Sequence, residues 1–456
     1  MVSTLDLVII GFYILSIFIF LFIEAKRKTS VDEFLVSGRR VKSSLLIFSV
    51  ISTNVGMATI VGTASAAYTT GISFPILAIT GSLAGFIFFS WLAPKIKEFG
   101  DKYNAYTLGD FFEIRYSSTS RILVGSIIVI NYFLWTALQF VGVAAITSVI
   151  LGLDIRTSLL IISVLVLLHT ALAGLRGDII IDSISFWFMV VALFPLTFLS
   201  LERIGGLEGL ITKLPRSYFN PFAFGGPALM VAAIIFSIPV LAISMEYWQR
   251  AYASESPSSA RKVFFVSGFV NQIFIVLAAL LGLSAYVFVP NFDKNAIIFK
   301  MMSDLLPPGL LGLGIAGMFA IAMDTVNSII LVGSSTIFRD LLLAFGKIKE
   351  PSLSILRRVT FLYGLGGLLI AFLIPDVLQL LILSVFTLLP LAPAVVGGFV
   401  WGKAHPTAAF WSILIGFTVT VILLPFMPLS AFVPGFLLSL ILFSGISLVK
   451  AWGNNN

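Results

Sequence analysis

A long apolar segment, from Leu306 to Leu342, carries small polar side chains at its middle. The polar residues are Asp324, Thr325, Asn327, Ser328, Ser334, Ser335 and Thr336. Polar groups in hydrocarbon cost several kcal/mol each unless they find partners. Because a carboxylate is among them, packing alone is a poor explanation. The pattern indicates oxygen ligands for a cation or a proton inside a membrane.

Two further apolar segments are interrupted by small polar residues, glycine or proline. Segment 43–70 contains Ser49, Ser52, Thr53, Asn54 and Gly56, and segment 227–249 contains Ser237, Pro239, Ser244 and Glu246. Transporters use broken helices at mid-membrane, where freed backbone carbonyls bind cations and helix ends meet the solute. Small residues also mark close helix packing, which is the alternative for each segment taken singly.

The composition sets the class of protein that must position these groups. Of the 456 residues, 59% are hydrophobic and 11% are charged, and the mean hydropathy is +1.09. A soluble domain carries about 25% charged residues, so the chain is a polytopic membrane protein. It has no cysteine and only two, distant histidines, which excludes disulfides and a transition-metal site. Without a Walker, G-x-S-x-G or H-E-x-x-H motif, we expect neither an ATP-driven pump nor an enzyme.

The apolar segments predict thirteen helical spans, since each crossing needs about 20 apolar residues. They are 4–24, 43–70, 74–94, 119–151, 157–174, 177–201, 227–249, 262–289, 307–337, 354–374, 377–402, 406–427 and 430–449. With loops assigned to alternating sides, 22 of the 28 Lys and Arg residues fall on one side. The positive-inside rule makes that side cytoplasmic and places the N-terminus outside. The net charge of +7 therefore reflects topology and not a nucleic-acid partner.

Six stretches, in order along almost the whole chain, resemble the sodium:solute symporter family. They are "VDEFLVSGRRVKSSLLIFSVISTNVGMATIVGTASAAYTTGIS", "YTLGDFFEIRYSSTSRILVG", "ALAGLRGDIIIDSISF", "WQRAYASESPSSARK", "LPPGLLGLGIAGMFAIAM" and "LAPAVVGGFVWGKAHP". The resemblance implies an all-α polytopic membrane protein with the leucine-transporter-like fold. It also implies sodium-coupled uptake by alternating access.

That fold places two five-helix inverted repeats between additional helices. The expected division is a single transport domain, 1–456, with an extra helix at 4–24. The first repeat is 43–201, the second repeat is 227–402, and two C-terminal helices span 406–449. Both repeats then begin with one of the interrupted segments, where broken helices belong.

The resemblance implies a main sodium site between the first broken helix and the eighth core helix. The corresponding positions are Ser52, Val55, Ile321, Asp324 and Thr325. The usual hydroxyl pair is replaced here by Asp324-Thr325. A carboxylate about 4 Å from a cation gains roughly 4 kcal/mol at an effective dielectric of 20, which would tighten Na⁺ binding. Alternatively, Asp324 carries a proton, because burial penalises a charged acid, or it caps a backbone or pairs with a Lys or Arg.

A second carboxylate, Asp182, matches a family aspartate that some members use together with hydroxyls near Asn327 and Ser328. The resemblance implies a further cation site or a gating role for these three residues. A structural ion pair of Asp182 with Arg176 is the alternative, although i−6 is an awkward separation within one helix.

The solute site implied by the resemblance lies between the two broken helices and their neighbours. Its candidates are Asn54, Met57, Trp135, Gln139, Ser244 and Glu246. An ion pair with Arg250 at i+4 is the alternative for Glu246. An amino acid, a carboxylate, a sugar or a vitamin would each suit these side chains.

The sequence therefore predicts a sodium-coupled symporter of a small organic solute, with Na⁺ as the coupling ion. We expect a monomer in a bacterial or archaeal plasma membrane, with lipid and solute as partners. The alternatives are proton-coupled symport through Asp324, with H⁺ as the coupling ion, and a transporter-like solute sensor.

Overall fold

The computed structural model describes residues 3–27, 29–294, 296–347, 351–374, 380, 383–384, 387–428 and 430–453. This part of the chain is almost entirely helical, with one isolated β-bridge between Val41 and Ser254. The first nine helices are α1 (Thr4–Lys26), α2 (Val31–Val36), α3 (Ser43–Asn54), α4 (Met57–Thr70), α5 (Ser73–Tyr103), α6 (Leu108–Arg115), α7 (Ser118–Leu151), α8 (Ile155–Ile204) and α9 (Gly206–Lys213). The others are α10 (Gly226–Ile243), α11 (Met245–Ala253), α12 (Pro257–Phe288), α13 (Ile297–Leu305), α14 (Leu310–Thr336), α15 (Leu353–Leu373), α16 (Ala392–Val400), α17 (Pro406–Leu423) and α18 (Phe432–Gly453).

Helix α8 is two helical arms that meet at Gly174. This residue has φ 59° and ψ −169°, a conformation that a residue with a side chain rarely adopts. A Cβ there would also lie 2.6 Å from Cδ2 of Phe34, so space as well as backbone requires glycine. The kink falls at the last residue of the predicted span 157–174, just before the next predicted span, 177–201.

Both predicted interruptions are present. Helices α3 and α4 meet at Val55–Gly56, and their axes differ by 49°. Helices α10 and α11 are separated at Ser244, which has φ −74° and ψ 101°. Each break frees main-chain groups at a point that is buried among other helices.

Ten of the described helices are long and apolar enough to cross a membrane, or eleven when the bent pair α3–α4 counts as one span. The kinked helix α8, which covers two of the predicted spans, is counted as one helix in that number. The predicted span 377–402 falls partly on residues outside the described ranges, so the total of thirteen stays a prediction.

Helix α14 occupies the centre of the molecule, between α7, α8, α1, α15 and α3. Its membrane-spanning window is entirely buried, whereas only 12% of the window of α1 is buried. Helix α1 is fixed to the start of α14 by Asp6, whose carboxylate accepts the N–H groups of Gly309 and Gly312, each at 2.7 Å. A central helix has protein on every side, so its polar side chains can find partners within the membrane.

Candidate functional site

Asp324 lies opposite the break between α3 and α4. Its side chain is fully buried, and its carboxylate accepts hydrogen bonds from the Ser52 hydroxyl on α3 and, at 3.0 Å, from the Ser185 hydroxyl on α8. None of the ion pairs found among the described residues includes Asp324. A Lys or Arg partner, one of the roles weighed for this residue, is therefore not what the structure shows.

Thr325 brings α14 into close contact with the break itself. Its hydroxyl lies 3.4 Å from the backbone carbonyl of Thr53. A Cβ added to Gly56 would come within 2.7 Å of the same hydroxyl oxygen, so the two backbones approach closely only because residue 56 is glycine. The backbone of Val55 is no longer helical, with φ −84° and ψ 53°.

Three of the five predicted ligands of the main cation site, Ser52, Asp324 and Thr325, are thus brought together at the break between α3 and α4. Val55 and Ile321 are buried beside the break and on α14, respectively. Hydroxyl, carboxylate and carbonyl oxygens are the ligands that hard cations prefer. Ser185, which also faces Asp324, was not predicted, because a serine in an apolar helix gives no signal of its own.

The three residues predicted for a second cation site or gate divide between two places. Asp182 is bound at 2.8 Å by Nη2 of Arg250, and Ser328 contacts the same guanidinium at 2.8 Å. Asn327 instead points toward the first arm of α8, where it hydrogen-bonds to Nδ1 of His169 and accepts the Thr170 hydroxyl. Asp182 pairs with Arg250 and not with Arg176, the partner considered from the sequence.

Asn54 is the centre of a polar row that crosses four helices. Its side-chain oxygen accepts the Tyr247 hydroxyl at 2.7 Å, and its side-chain nitrogen donates to Asn271 at 2.7 Å. Asn271 in turn donates to Ser82 on α5 at 3.0 Å. Only Asn54 of this row was predicted, because the other groups come from helices that the sequence does not bring together.

Glu246 is buried just beyond the break between α10 and α11. Its carboxylate accepts the Tyr132 hydroxyl of α7 at 2.5 Å, and that hydroxyl accepts the Met245 N–H at 3.0 Å. The Arg250 Nη1 donates to the main-chain carbonyl of Glu246 at 3.2 Å. The carboxylate–guanidinium pair considered from the sequence is absent from the ion pairs of the described residues.

Two of the other solute candidates, Met57 and Ser244, lie at the breaks, and the remaining two, Trp135 and Gln139, lie on α7. Met57 is buried at the start of α4, and the Ser244 hydroxyl donates to the Val240 carbonyl at 2.9 Å. Trp135 packs on Tyr132, with ring centroids 5.3 Å apart. Gln139 follows Trp135 by one turn of α7 and lies on the same helix face.

Comparison with known proteins identifies the family of the chain. The model of the sodium:solute symporter family matches residues 34–416. The sodium/pantothenate symporter of Haemophilus influenzae is 23% identical over 435 residues, which cover 90% of this chain and 88% of that protein. The Escherichia coli sodium/pantothenate symporter is 23% identical over 440 residues, with 91% and 90% covered. A sodium/proline symporter of Staphylococcus aureus is 22% identical over 343 residues, with 73% and 67% covered.

Solved structures confirm the fold. A Na⁺-coupled sialic acid symporter in a substrate-bound outward-open state superimposes with a TM-score of 0.82 at 17% identity, over 98% of both chains. Mhp1, a transporter of the nucleobase-cation-symport-1 family, gives a TM-score of 0.64 at 12% identity, over 92% of this chain and 94% of that one. The predicted leucine-transporter-like class is thereby confirmed, while the bounds of its repeats stay predictions.

Proposed function

The chain belongs to the sodium:solute symporter family, and we propose that it takes up a small organic solute together with Na⁺ by alternating access. It is a multi-pass membrane transporter and not an enzyme. The single observation that carries the proposal is the environment of Asp324, a buried carboxylate held by two hydroxyls opposite a helix break.

A buried carboxylate without a basic partner calls for a positive charge, since an isolated ion in a low-dielectric interior is costly. Na⁺ bound between Asp324, Ser52 and Thr325 would supply that charge. Carbonyl oxygens at the break, where the backbone leaves helical geometry at Val55, would complete the ligand set. Ile321 lies one turn before Thr325 on the same helix face and offers its carbonyl to that set.

A Na⁺ ion at this position would couple ion binding to solute binding. Na⁺ would join α14, the buried central helix, to the break that separates α3 from α4. The Asn54 side chain, one residue before that break, begins the polar row that reaches Tyr247 beyond the other break. Na⁺ binding would therefore order the solute site and favour the outward-facing state. Such coupling requires that Na⁺ bind the two states with different affinity. Opening to the cytoplasm, where Na⁺ is scarce, releases the ion.

The solute is a small organic molecule that side chains beside the two breaks would recognise. Asn54, Tyr247 and Asn271 offer uncharged donors and acceptors, and Trp135 offers an aromatic face. Two of the relatives are named for pantothenate and one for proline, and one structural neighbour is named for sialic acid. These three compounds are the first candidates to test.

A thermal-shift screen on purified protein tests solute and ion together. A ligand that binds only the folded state stabilises it by about 2.7 kcal/mol at one hundred times its dissociation constant. We expect one solute to raise the melting temperature in NaCl and not in choline chloride. Uptake of that solute into proteoliposomes should then require Na⁺. Equal uptake in Na⁺-free buffer would overturn sodium coupling.

Proton coupling through Asp324 is the second candidate function. It is favoured by the contacts of this carboxylate, which are both hydroxyls and would serve a protonated acid as well as a charged one. Uptake would then follow a pH gradient and ignore Na⁺, and Asp324→Asn would leave only uncoupled movement of solute. A Na⁺ requirement at constant pH would dismiss this alternative.

A further inference from the structure

The guanidinium of Arg250 lies at the centre of a second buried polar cluster. Arg250 is on α11, just beyond the second break, and its side chain is completely shielded from solvent. Its Nη2 atom is surrounded by Thr53 Oγ1 at 2.6 Å, Asp182 Oδ2 at 2.8 Å, Ser328 Oγ at 2.8 Å and Asp178 Oδ2 at 3.1 Å. Its Nε donates to Ser49 Oγ at 2.9 Å.

This arrangement resembles oxygens gathered around a cation more than a set of separate hydrogen bonds. A guanidinium Nη atom carries two N–H groups, yet four oxygens converge on this one. The hydroxyls of Ser328 and Ser49 accept from the guanidinium and donate their own protons to the carboxylates. Ser328 donates to Asp178 at 2.8 Å, and Ser49 donates to Asp182. Two carboxylates and three hydroxyls are a ligand set that a hard metal cation would also accept.

We propose that Arg250 is a tethered cation that fills the second cation position, so that the transporter binds a single Na⁺ per cycle. The proposal rests on the function proposed above, in which the exchangeable Na⁺ lies at Asp324. It gives Asp182 and Ser328 a role as ligands of a built-in charge. It also adds Asp178, which the sequence did not single out, to the same cluster.

The space left beside the guanidinium is too poor in oxygen for a second sodium ion. Among the described residues, the unpartnered atoms of this cluster are Oδ1 of Asp178 and Oδ1 of Asp182. Na⁺, as a hard cation, needs several oxygens, and the other three side chains already face Arg250. These two atoms are nevertheless where an additional Na⁺ would bind, so counting bound ions decides the matter.

Because Arg250 is part of α11, its positive charge is carried by a helix that moves in the proposed mechanism. Arg250 belongs to the segment after the break at Ser244, whereas Asp182 and Ser328 belong to α8 and α14. An ion from solution would leave such a site when the helices part. A guanidinium leaves with α11 and returns with it, so its charge is not transported. The transporter would therefore carry one Na⁺ per turnover and not two.

Equilibrium binding of ²²Na⁺ to the purified full-length protein tests this without knowledge of the solute. Choline chloride keeps the ionic strength constant. We expect one Na⁺ per chain in the wild type and still one in Asp182→Asn and in the matched surface control Asp304→Asn. In Thr325→Ala, the affinity should fall by about tenfold or more, since 1.4 kcal/mol is already tenfold.

Two bound Na⁺ per chain, one of which is lost in Asp182→Asn, would overturn the tethered cation and leave the Asp324 site standing. A single Na⁺ that is lost in Asp182→Asn but kept in Thr325→Ala would also overturn it. Absence of binding to the wild type would refute the proposed sodium coupling and this inference together.

Removal of the tether gives a complementary test. In Arg250→Gln, the two freed aspartates should recruit a second Na⁺, raising the count from one to two. A folded variant that still binds one ion contradicts the proposal. If the variant does not fold, the counts on the wild type and on Asp182→Asn decide.

Discussion

Substitution of Gly56 by alanine should weaken Na⁺ binding through a contact of one methyl group. Gly56 has φ −73° and ψ −179°, which alanine adopts without strain, so the effect is one of space alone. The new Cβ would lie 2.7 Å from the Thr325 hydroxyl oxygen and 3.7 Å from the Thr325 Cβ. Either the Thr325 side chain must rotate or α14 must move away from α4. Both movements displace the Thr325 hydroxyl from its position beside the break.

The size of the effect follows from the distances. An ordinary contact begins near 3.4 Å, so the two atoms must separate by about 0.7 Å. Ligand distances in metal sites usually lie within about 0.2 Å of their standard values, and the required separation is larger than this. Overpacking of a buried site costs about 1–3 kcal/mol. If that cost is relieved by opening the site, the affinity for Na⁺ falls by roughly 5-fold to more than 100-fold.

The assay is ²²Na⁺ binding to purified protein, with Gly62→Ala as the matched control. Gly62 is on α4, two turns after the break, and a Cβ there meets no atom within 4 Å. We expect Gly62→Ala to bind Na⁺ like the wild type. Melting temperatures of both variants in Na⁺-free buffer separate a change in the site from a general loss of stability.

Wild-type Na⁺ affinity in Gly56→Ala would refute the reasoning, because the break and Thr325 could then separate without disturbing the ion. A lower melting temperature with unchanged Na⁺ affinity would refute it as well. That result would make the close approach of Gly56 and Thr325 a packing contact and nothing more.

Three further substitutions have defined outcomes. Asp324→Asn should abolish Na⁺ binding measured with ²²Na⁺ while the protein stays folded, and retained binding would contradict the site. Tyr132→Phe leaves the buried carboxylate of Glu246 without its hydroxyl partner. The melting temperature should therefore fall by the equivalent of about 1–3 kcal/mol. An unchanged melting temperature would show that the hydrogen bond is dispensable. Arg121→Met removes the guanidinium that lies 3.1 Å from the buried carboxylate of Asp340. The loss should lower the free energy of unfolding, measured by thermal unfolding, by about 3–5 kcal/mol. An equally stable variant would mean that the remaining neighbours of Asp340 stabilise its carboxylate without Arg121.

The helix breaks could be predicted because their cause is local. Gly56 and the small polar residues before it lower the helix-forming tendency of an otherwise apolar span, and the structure bends there by 49°. Gly174 likewise divides two arms at a single positive φ. Asp324 was recognisable because a carboxylate within an apolar helix needs an explanation wherever its partners lie.

The partners themselves could not be predicted, because they come from distant parts of the chain. Asn271 is 217 residues from Asn54, and Tyr132 is 114 residues from Glu246. An asparagine or a tyrosine in an apolar helix has many possible partners, and only the packing of the helices selects one. Arg250 follows the same rule: its position after a span suggests a loop at the membrane surface, yet the break turns its helix inward.

The two proposed cation positions share residues of one helix. Ser52 and Thr53 follow Ser49 by three and four residues, so both are neighbours of Ser49 on the surface of α3. Ser52 contacts Asp324, whereas Ser49 and Thr53 contact Arg250. Movement of α11 that withdraws Arg250 therefore releases the same turn of α3 that holds a predicted Na⁺ ligand. The affinity for Na⁺ at the proposed site should consequently depend on whether Arg250 contacts Ser49 and Thr53, which would link the second break to an ion bound at the first.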